Sequence, residues 1–99
     1  MINPDYIRWI KTRDCSVRDC HYQGIMDAHH RIGHNRREDY ANKTSDGEAI
    51  PLCPPHHDEL HAHGWQSFEI KYNLNQLKTA IKMLIRYVSL IESIQDSPI

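Results

Sequence analysis

The stretch of sequence that decides the fold runs from residue 53 to residue 64, Cys-Pro-Pro-His-His-Asp-Glu-Leu-His-Ala-His-Gly. Proline is favoured in the first turn of a helix, where backbone N–H groups have no partner, so Pro54 and Pro55 predict a helix start. The helix is expected to end near Gly64. His57 and His61 are four residues apart, so both imidazoles lie on one helix face and can bind one ion.

Three cysteines and eight histidines stand out in a chain of 99 residues. A C-x4-C pair upstream is matched by a C-x2-H pair at the helix start, and structural zinc sites commonly combine two such pairs. The spacing predicts a treble-clef-like zinc site whose ligands are Cys15, Cys20, Cys53 and His56. His21 is an alternative fourth ligand. The alternative to a zinc site is three buried reduced thiols beside a surface histidine.

A second ion site is predicted from His57 and His61 together with a His-His pair upstream. On an ideal helix His56 is rotated by about 100° from His57, so the two can face different ions. His29 and His30 fall on a predicted strand over 24–32, where adjacent side chains point to opposite sides. One is placed to complete the ion site and the other to activate water. The alternatives are an accidental HxxxH spacing and a solvent-facing pair on an edge strand.

The rest of the chain predicts an α+β fold. A short helix over 6–11 offers four candidate core residues: Tyr6, Ile7, Trp9 and Ile10. A loop over 33–47 leads to a second strand over 48–53. We expect a single domain over residues 1–99, with a core of about 5–75 and a C-terminal amphipathic helix of about 75–94.

The C-terminal helix has the clearest pattern, with Asn75 as its expected N-cap. Apolar residues recur at helical spacing: Leu77, Ile81, Leu84, Val88 and Ile91. Four more widen this face: Met83, Ile85, Tyr87 and Leu90. Such a helix is expected to cover the core on one side and a partner on the other, which motivates a homodimer hypothesis.

Composition argues against a membrane protein, because the mean hydropathy is -0.69 and no apolar run is long enough to span a bilayer. The chain starts without a basic segment followed by an apolar one, so a cytoplasmic location is expected. The net charge is -1, but the first 45 residues carry eight basic against six acidic side chains. A contact with DNA is therefore expected to come from a local patch.

Taken together, these residues resemble the HNH endonucleases, also called ββα-metal or His-Me finger nucleases. The chain is similar in particular to small phage and prophage HNH proteins related to the Ref recombination nuclease. The resemblance covers roughly residues 5–75, and its matching segments are 6–10, 28–33, 50–53, 56–61 and 68–72, together with Lys43, Ser45, Asp46 and Gly64.

The resemblance implies a metal-dependent endonuclease that cleaves DNA in phage or prophage recombination or DNA processing. Low sequence specificity is expected because no pattern in the sequence indicates base recognition. By resemblance, His29, His57 and His61 bind the catalytic ion, and His30 is the general base. Asp46 occupies the place of the middle Asn of the motif, which orients the site. The structural zinc set is the one predicted above.

Three imidazoles suit transition metals such as Zn²⁺ or Ni²⁺, whereas the resemblance implies Mg²⁺ or Mn²⁺ as the catalytic cation. The expected partners are single- or double-stranded DNA and a recombination protein. Four basic residues close to the site in sequence are candidate phosphate contacts: Arg31, Arg36, Arg37 and Lys43. The alternative for the loop residues is an ordinary solvated surface.

Three other functions compete with the nuclease. The main one is an inactive zinc-stabilised module that binds DNA or protein, which needs the cysteines but not His30. The others are a three-histidine zinc hydrolase, which normally has a deeper cleft, and a metal-storage or sensor protein.

Overall fold

A computed structural model of the chain describes residues 4–31 and 46–95. Two strands, β1 (Asp27–His30) and β2 (Ala49–Leu52), pair antiparallel, and a short 3-10 turn (Asp46–Glu48) precedes β2. Four helices complete this part of the chain: α1 (Pro4–Lys11), α2 (Pro54–His63), α3 (Trp65–Tyr72) and α4 (Gln76–Gln95). The protein is thus a small α+β fold, as the sequence predicts.

Both strands are shorter than the sequence predicts. In the antiparallel register Asp27 lies opposite Leu52, and His30 lies opposite Ala49. The residue before β1, Met26, donates its backbone N–H to the carbonyl of Lys11 at the end of α1. Because the backbone N–H of Met26 is used in this hydrogen bond to α1, the two-stranded ladder begins only at Asp27.

Helix α2 begins at Pro54 and ends at His63, which confirms the predicted bounds. The backbone N–H of Gly64 closes the helix on the carbonyl of Leu60 at 2.9 Å. Gly64 has φ of 90°, a conformation that glycine adopts without the steric cost of a Cβ. The chain therefore turns at this glycine and starts α3 at once. Helix α3, in which only Phe68 is buried, is not predicted from the sequence.

Two apolar clusters form the core of the described residues. The larger lies between the sheet, α2 and α3, and includes Ile50, Leu52, Leu60 and Phe68. The smaller packs α1 against α4 through Tyr6, Ile10 and Met83. Of the core candidates in α1, Tyr6 and Ile10 are fully buried, whereas Ile7 and Trp9 are half-buried.

Helix α4 is capped as predicted, because the side chain of Asn75 accepts the backbone N–H of Lys78 at 2.9 Å. Its inner face is formed by Gln76, Ala80 and Met83, all buried. The regular apolar stripe of the sequence lies mainly on the other side, exposed to solvent. Within the described ranges, no helix is long and apolar enough to cross a membrane.

Candidate metal centres

The structure brings Cys15, Cys20, Cys53 and His56 together into one cluster that could bind a metal such as zinc. The Sγ atoms of Cys20 and Cys53 are 3.8 Å apart, and Nδ1 of His56 lies 3.1 Å from Sγ of Cys53 and 3.6 Å from Sγ of Cys15. Ligands at tetrahedral zinc distances lie about 3.3–3.8 Å apart. A disulfide needs about 2.05 Å, and the cysteines are free.

The loop that carries Cys15 and Cys20 is fixed onto strand β2. Both the backbone N–H and the hydroxyl of Ser16 donate to the carbonyl of Pro51, at 2.9 and 2.7 Å. Asp19 then turns the chain back with φ of 63°, in the left-handed region. The x4 spacing between the two cysteines is therefore accommodated by one tight turn.

The surroundings of this cluster match a closed structural site. Burial raises the pKa of the Cys53 thiol to about 12 and raises the pKa of Cys15. A bound cation reverses this, because a coordinating thiol loses its proton. The ring of His56 packs edge-on against Tyr72, with ring centroids 5.1 Å apart. His21, the alternative fourth ligand, is exposed and lies outside the cluster that the described residues form.

A second cluster unites His29 of β1 with His57 and His61 of α2. The three pairs of ring centroids are separated by 5.1, 5.5 and 4.8 Å. Three imidazoles on one tetrahedral ion would place their centroids about 5 Å apart. Helix α2 thus contributes to both clusters, with His56 directed to the cysteines and the next residue, His57, directed to the histidines.

Gln76 determines which nitrogen of His29 is free for an ion. Nε2 of Gln76 donates to a carboxylate oxygen of Glu69 at 3.1 Å, so its Oε1 faces His29 at 2.8 Å. Because an amide oxygen only accepts, Nε2 of His29 must carry the proton. The free lone pair is therefore on Nδ1. A hydrogen bond of this kind, from the ring nitrogen that does not bind the ion, orients metal-binding histidines.

Asp27 plays the same part for His57. Its carboxylate lies 2.9 Å from Nδ1 of His57, which must donate because an ionised carboxylate only accepts. Nε2 of His57 then carries the lone pair and faces Nε2 of His61 at 3.1 Å. The fold thus turns an acceptor nitrogen of His57 towards its neighbour, as a shared ion requires.

His29 is 2% exposed, and burial is the main cause that lowers its pKa to about 4. The hydrogen bond to Gln76 opposes this shift, and the neighbouring histidines reinforce it. A pKa this low keeps the ring neutral at physiological pH, which is the form that binds metals.

The remaining predicted site residues have different placements. His30 is half-buried at the end of β1, directly after His29. Asp46 opens the 3-10 turn, but its side chain lies outside the described set. Arg31 is 6% exposed, and its Nε donates to Oε1 of Glu48 at 2.5 Å. The other three predicted phosphate contacts, Arg36, Arg37 and Lys43, lie outside the described residues.

Sequence reasoning missed three residues that hold the histidines: Asp27, Glu69 and Gln76. Asp27 had a signal, because it is two residues before His29 on the same strand and shares its face. Gln76 and Glu69 had none, since nothing in the spacing of α3 and α4 points to β1.

The chain belongs to the family described as "Protein of unknown function (DUF968)", which matches residues 1–90. A relative from Escherichia coli (strain K12), "Uncharacterized protein YdfU", is 34% identical over 89 residues. The match covers 90% of this chain and 24% of that protein, so the chain spans about a quarter of the length of this relative. No solved structure matches the chain.

Proposed function

We propose that this chain is a metal-dependent endonuclease of the HNH type that hydrolyses phosphodiester bonds of DNA with low sequence specificity. The observation that carries the proposal is the convergence of His29, His57 and His61, with His30 as the next residue of the same strand. The Cys3His cluster, at the start of the helix that carries two of the three histidines, serves as the structural zinc site.

The arrangement of elements supports this assignment. Two antiparallel strands lead directly into α2. The cluster residues of this ββα segment are His29 in β1, Cys53 directly after β2, and three histidines of α2: His56, His57 and His61. Structural zinc closes its ligand set with four protein groups, whereas a catalytic ion keeps an open position. Four ligands in one cluster and three in the other follow this division.

The residues would divide the reaction among them. A divalent cation bound by the three histidines would supply charge stabilisation for the phosphate and the leaving oxygen. His30 accepts the proton of the attacking water, a role that an imidazole can fill near neutral pH. Asp27 and Gln76 hold His57 and His29 in the tautomers that present lone pairs. The predicted phosphate contacts and the recombination role stay predictions.

A cleavage assay tests the proposal. Zinc-loaded protein is mixed with supercoiled plasmid or with circular single-stranded DNA, and Mg²⁺, Mn²⁺, Ni²⁺ or Zn²⁺ is added in turn. The variants are His30→Ala and the matched control His63→Ala, an exposed histidine at the end of α2. Cobalt binding to each protein is followed by visible absorption.

We expect the wild type and His63→Ala to nick DNA only with added metal. His30→Ala should lose at least about a hundredfold in rate, the usual contribution of a general base, and should still bind cobalt. If the wild type cuts nothing with any metal while it retains one zinc per chain, the nuclease proposal fails. The zinc-stabilised binding module would then replace it.

A further inference from the structure

Helix α4 presents a row of apolar side chains to solvent. We call this row the outer stripe, and its members are 37–60% exposed: Leu77, Ile81, Ile85, Val88 and Ile91. Their spacing of three and four residues keeps them on one side of the helix, over about 21 Å of its length. The opposite side packs against α1 through Met83. The outer stripe is thus additional to the face that the core uses.

The residue types in the outer stripe suit the packing of two helices. With the half-buried Leu84 included, the spacing from Leu77 to Ile91 is four, three, four, three, which is the seam of a coiled coil. Along this seam the β-branched residues Ile81 and Val88 alternate with Leu77 and Leu84, and the seam ends at Ile91. Of these positions only Leu84 packs against the α1 cluster, and the other four are exposed, so this regularity is more than core burial requires.

Two opposite charges border the outer stripe. Lys78 and Glu92 each lie seven residues from Ile85, in opposite directions, so all three are aligned along the same edge of the helix. Neither forms an ion pair with another residue in the described ranges 4–31 and 46–95. A lysine near a helix start and a glutamate near its end are both unfavourable to the helix dipole. Their own helix therefore does not explain their placement.

We propose that the outer stripe binds the outer stripe of a second copy of this chain, with the two α4 helices antiparallel and a two-fold axis beside Ile85. This arrangement places Lys78 opposite Glu92 of the partner subunit and repeats the same pair on the other side of the axis. A parallel pair would place this edge on opposite flanks of the seam in the two copies, so that Lys78 and Glu92 could not meet. The charge pattern thus favours a second copy of the chain as the partner and an antiparallel orientation of the two α4 helices. This inference does not depend on the proposed nuclease function.

Sedimentation equilibrium of zinc-loaded protein at several concentrations tests this proposal. The chain mass is 11.7 kDa, so we expect an average mass that rises with concentration towards twice that value. Ile85→Glu should abolish the dimer, and Lys78→Glu should weaken it by roughly tenfold or more, since two pairs become repulsive. The double variant Lys78→Glu/Glu92→Lys should restore association.

The matched control is Lys82→Glu, the same charge change further round the helix from the outer stripe, which should leave association unchanged. Far-UV circular dichroism verifies that each variant is folded, as expected for substitutions at exposed positions. A monomeric mass for the wild type at high micromolar concentration would overturn the proposal. A dimer that Lys78→Glu does not weaken, or that the double variant does not restore, would overturn the antiparallel arrangement.

Discussion

The Nε2 atom of His29 donates a hydrogen bond to Oε1 of Gln76 at 2.8 Å, across 47 positions of the sequence. Gln76 is fully buried and is the first residue of α4. Its backbone N–H and its side-chain amide both donate to Glu69 of α3, at 2.9 and 3.1 Å. The orientation of a proposed ligand on β1 is therefore determined by residues of two helices outside the ββα segment.

Gln76→Leu should weaken metal binding by the three histidines by about ten- to a hundredfold, the usual effect of losing such a support. The variant leaves His29 without the acceptor that fixes its tautomer, so Nδ1 no longer reliably carries the lone pair. Cobalt titration of protein whose cysteine site is already filled with zinc measures the affinity.

Gln66→Leu is the control for this prediction, because Gln66 is exposed on α3. Glu69→Gln provides a second variant that leaves Gln76 in place but lets its amide reverse, and it should give a smaller loss of affinity. Equal cobalt affinity in Gln76→Leu and the wild type, with both folded, would show that Gln76 does not position His29.

The sequence predicted the parts of the fold that depend on local chemistry. Proline at a helix start and glycine at its end defined α2, and Asn75 marked the start of α4. Short ligand spacings also identified the cysteine cluster and the pair His57 and His61, because cysteine and histidine have few other reasons to recur at x4, x2 and x3 intervals. The choice of His29 rather than His30 as the third ligand came from the resemblance to HNH endonucleases. Both clusters could thus be proposed without knowing how the chain folds between them.

What the sequence could not predict depends on packing between distant segments. Helix α3 was not predicted although Trp65, Phe68 and Tyr72 recur at helical spacing, because it has only eight residues and its start depends on the turn at Gly64. The apolar pattern of α4 did not reveal which side faces the core. For Arg31, a basic residue beside the site predicts a phosphate contact equally well whether it is exposed or buried against Glu48. Only the three-dimensional arrangement distinguishes these cases.

Removal of metal from the proposed zinc site should unfold the protein or lower its melting temperature strongly, because zinc bound there would supply much of the stability that so small a core lacks. The wild type is expected to hold one zinc per chain, and Cys53→Ser and His56→Ala should each lose it. His21→Ala should keep it, because His21 is exposed and outside the cluster. Zinc content by atomic absorption and thermal unfolding measure both effects. Zinc loss in His21→Ala together with retention in His56→Ala would instead assign the fourth ligand to His21.

Arg31→Met should reduce the free energy of unfolding by about 1.5–3 kcal/mol. The substitution removes a charge-assisted hydrogen bond and takes the buried guanidinium away from the carboxylate of Glu48. Arg18→Met, at an exposed position, should change it little. Urea denaturation gives both values. The double variant Arg31→Met/Glu48→Gln should recover part of the loss, and the absence of any loss in Arg31→Met would show that this pair does not stabilise the strand end.

Ionisation of the Tyr6 phenol should lower the free energy of unfolding at alkaline pH. Burial, and then the charge of Tyr87, raise the pKa of Tyr6 to about 12 in the folded chain, against about 10 in an unfolded one. Its contribution is fully present below pH 10 and is lost as the pH rises towards 12, because the unfolded chain releases the phenolic proton first. The loss approaches about 2–3 kcal/mol for a difference of this size.

Tyr6→Phe keeps the ring but removes the titration, so its unfolding free energy should decline less between about pH 9 and pH 12 than that of the wild type. Tyr22→Phe, at a 40% exposed position, is the control and should follow the wild type. Parallel curves for Tyr6→Phe and the wild type would show that the phenol ionises as readily in the folded chain as in the unfolded one.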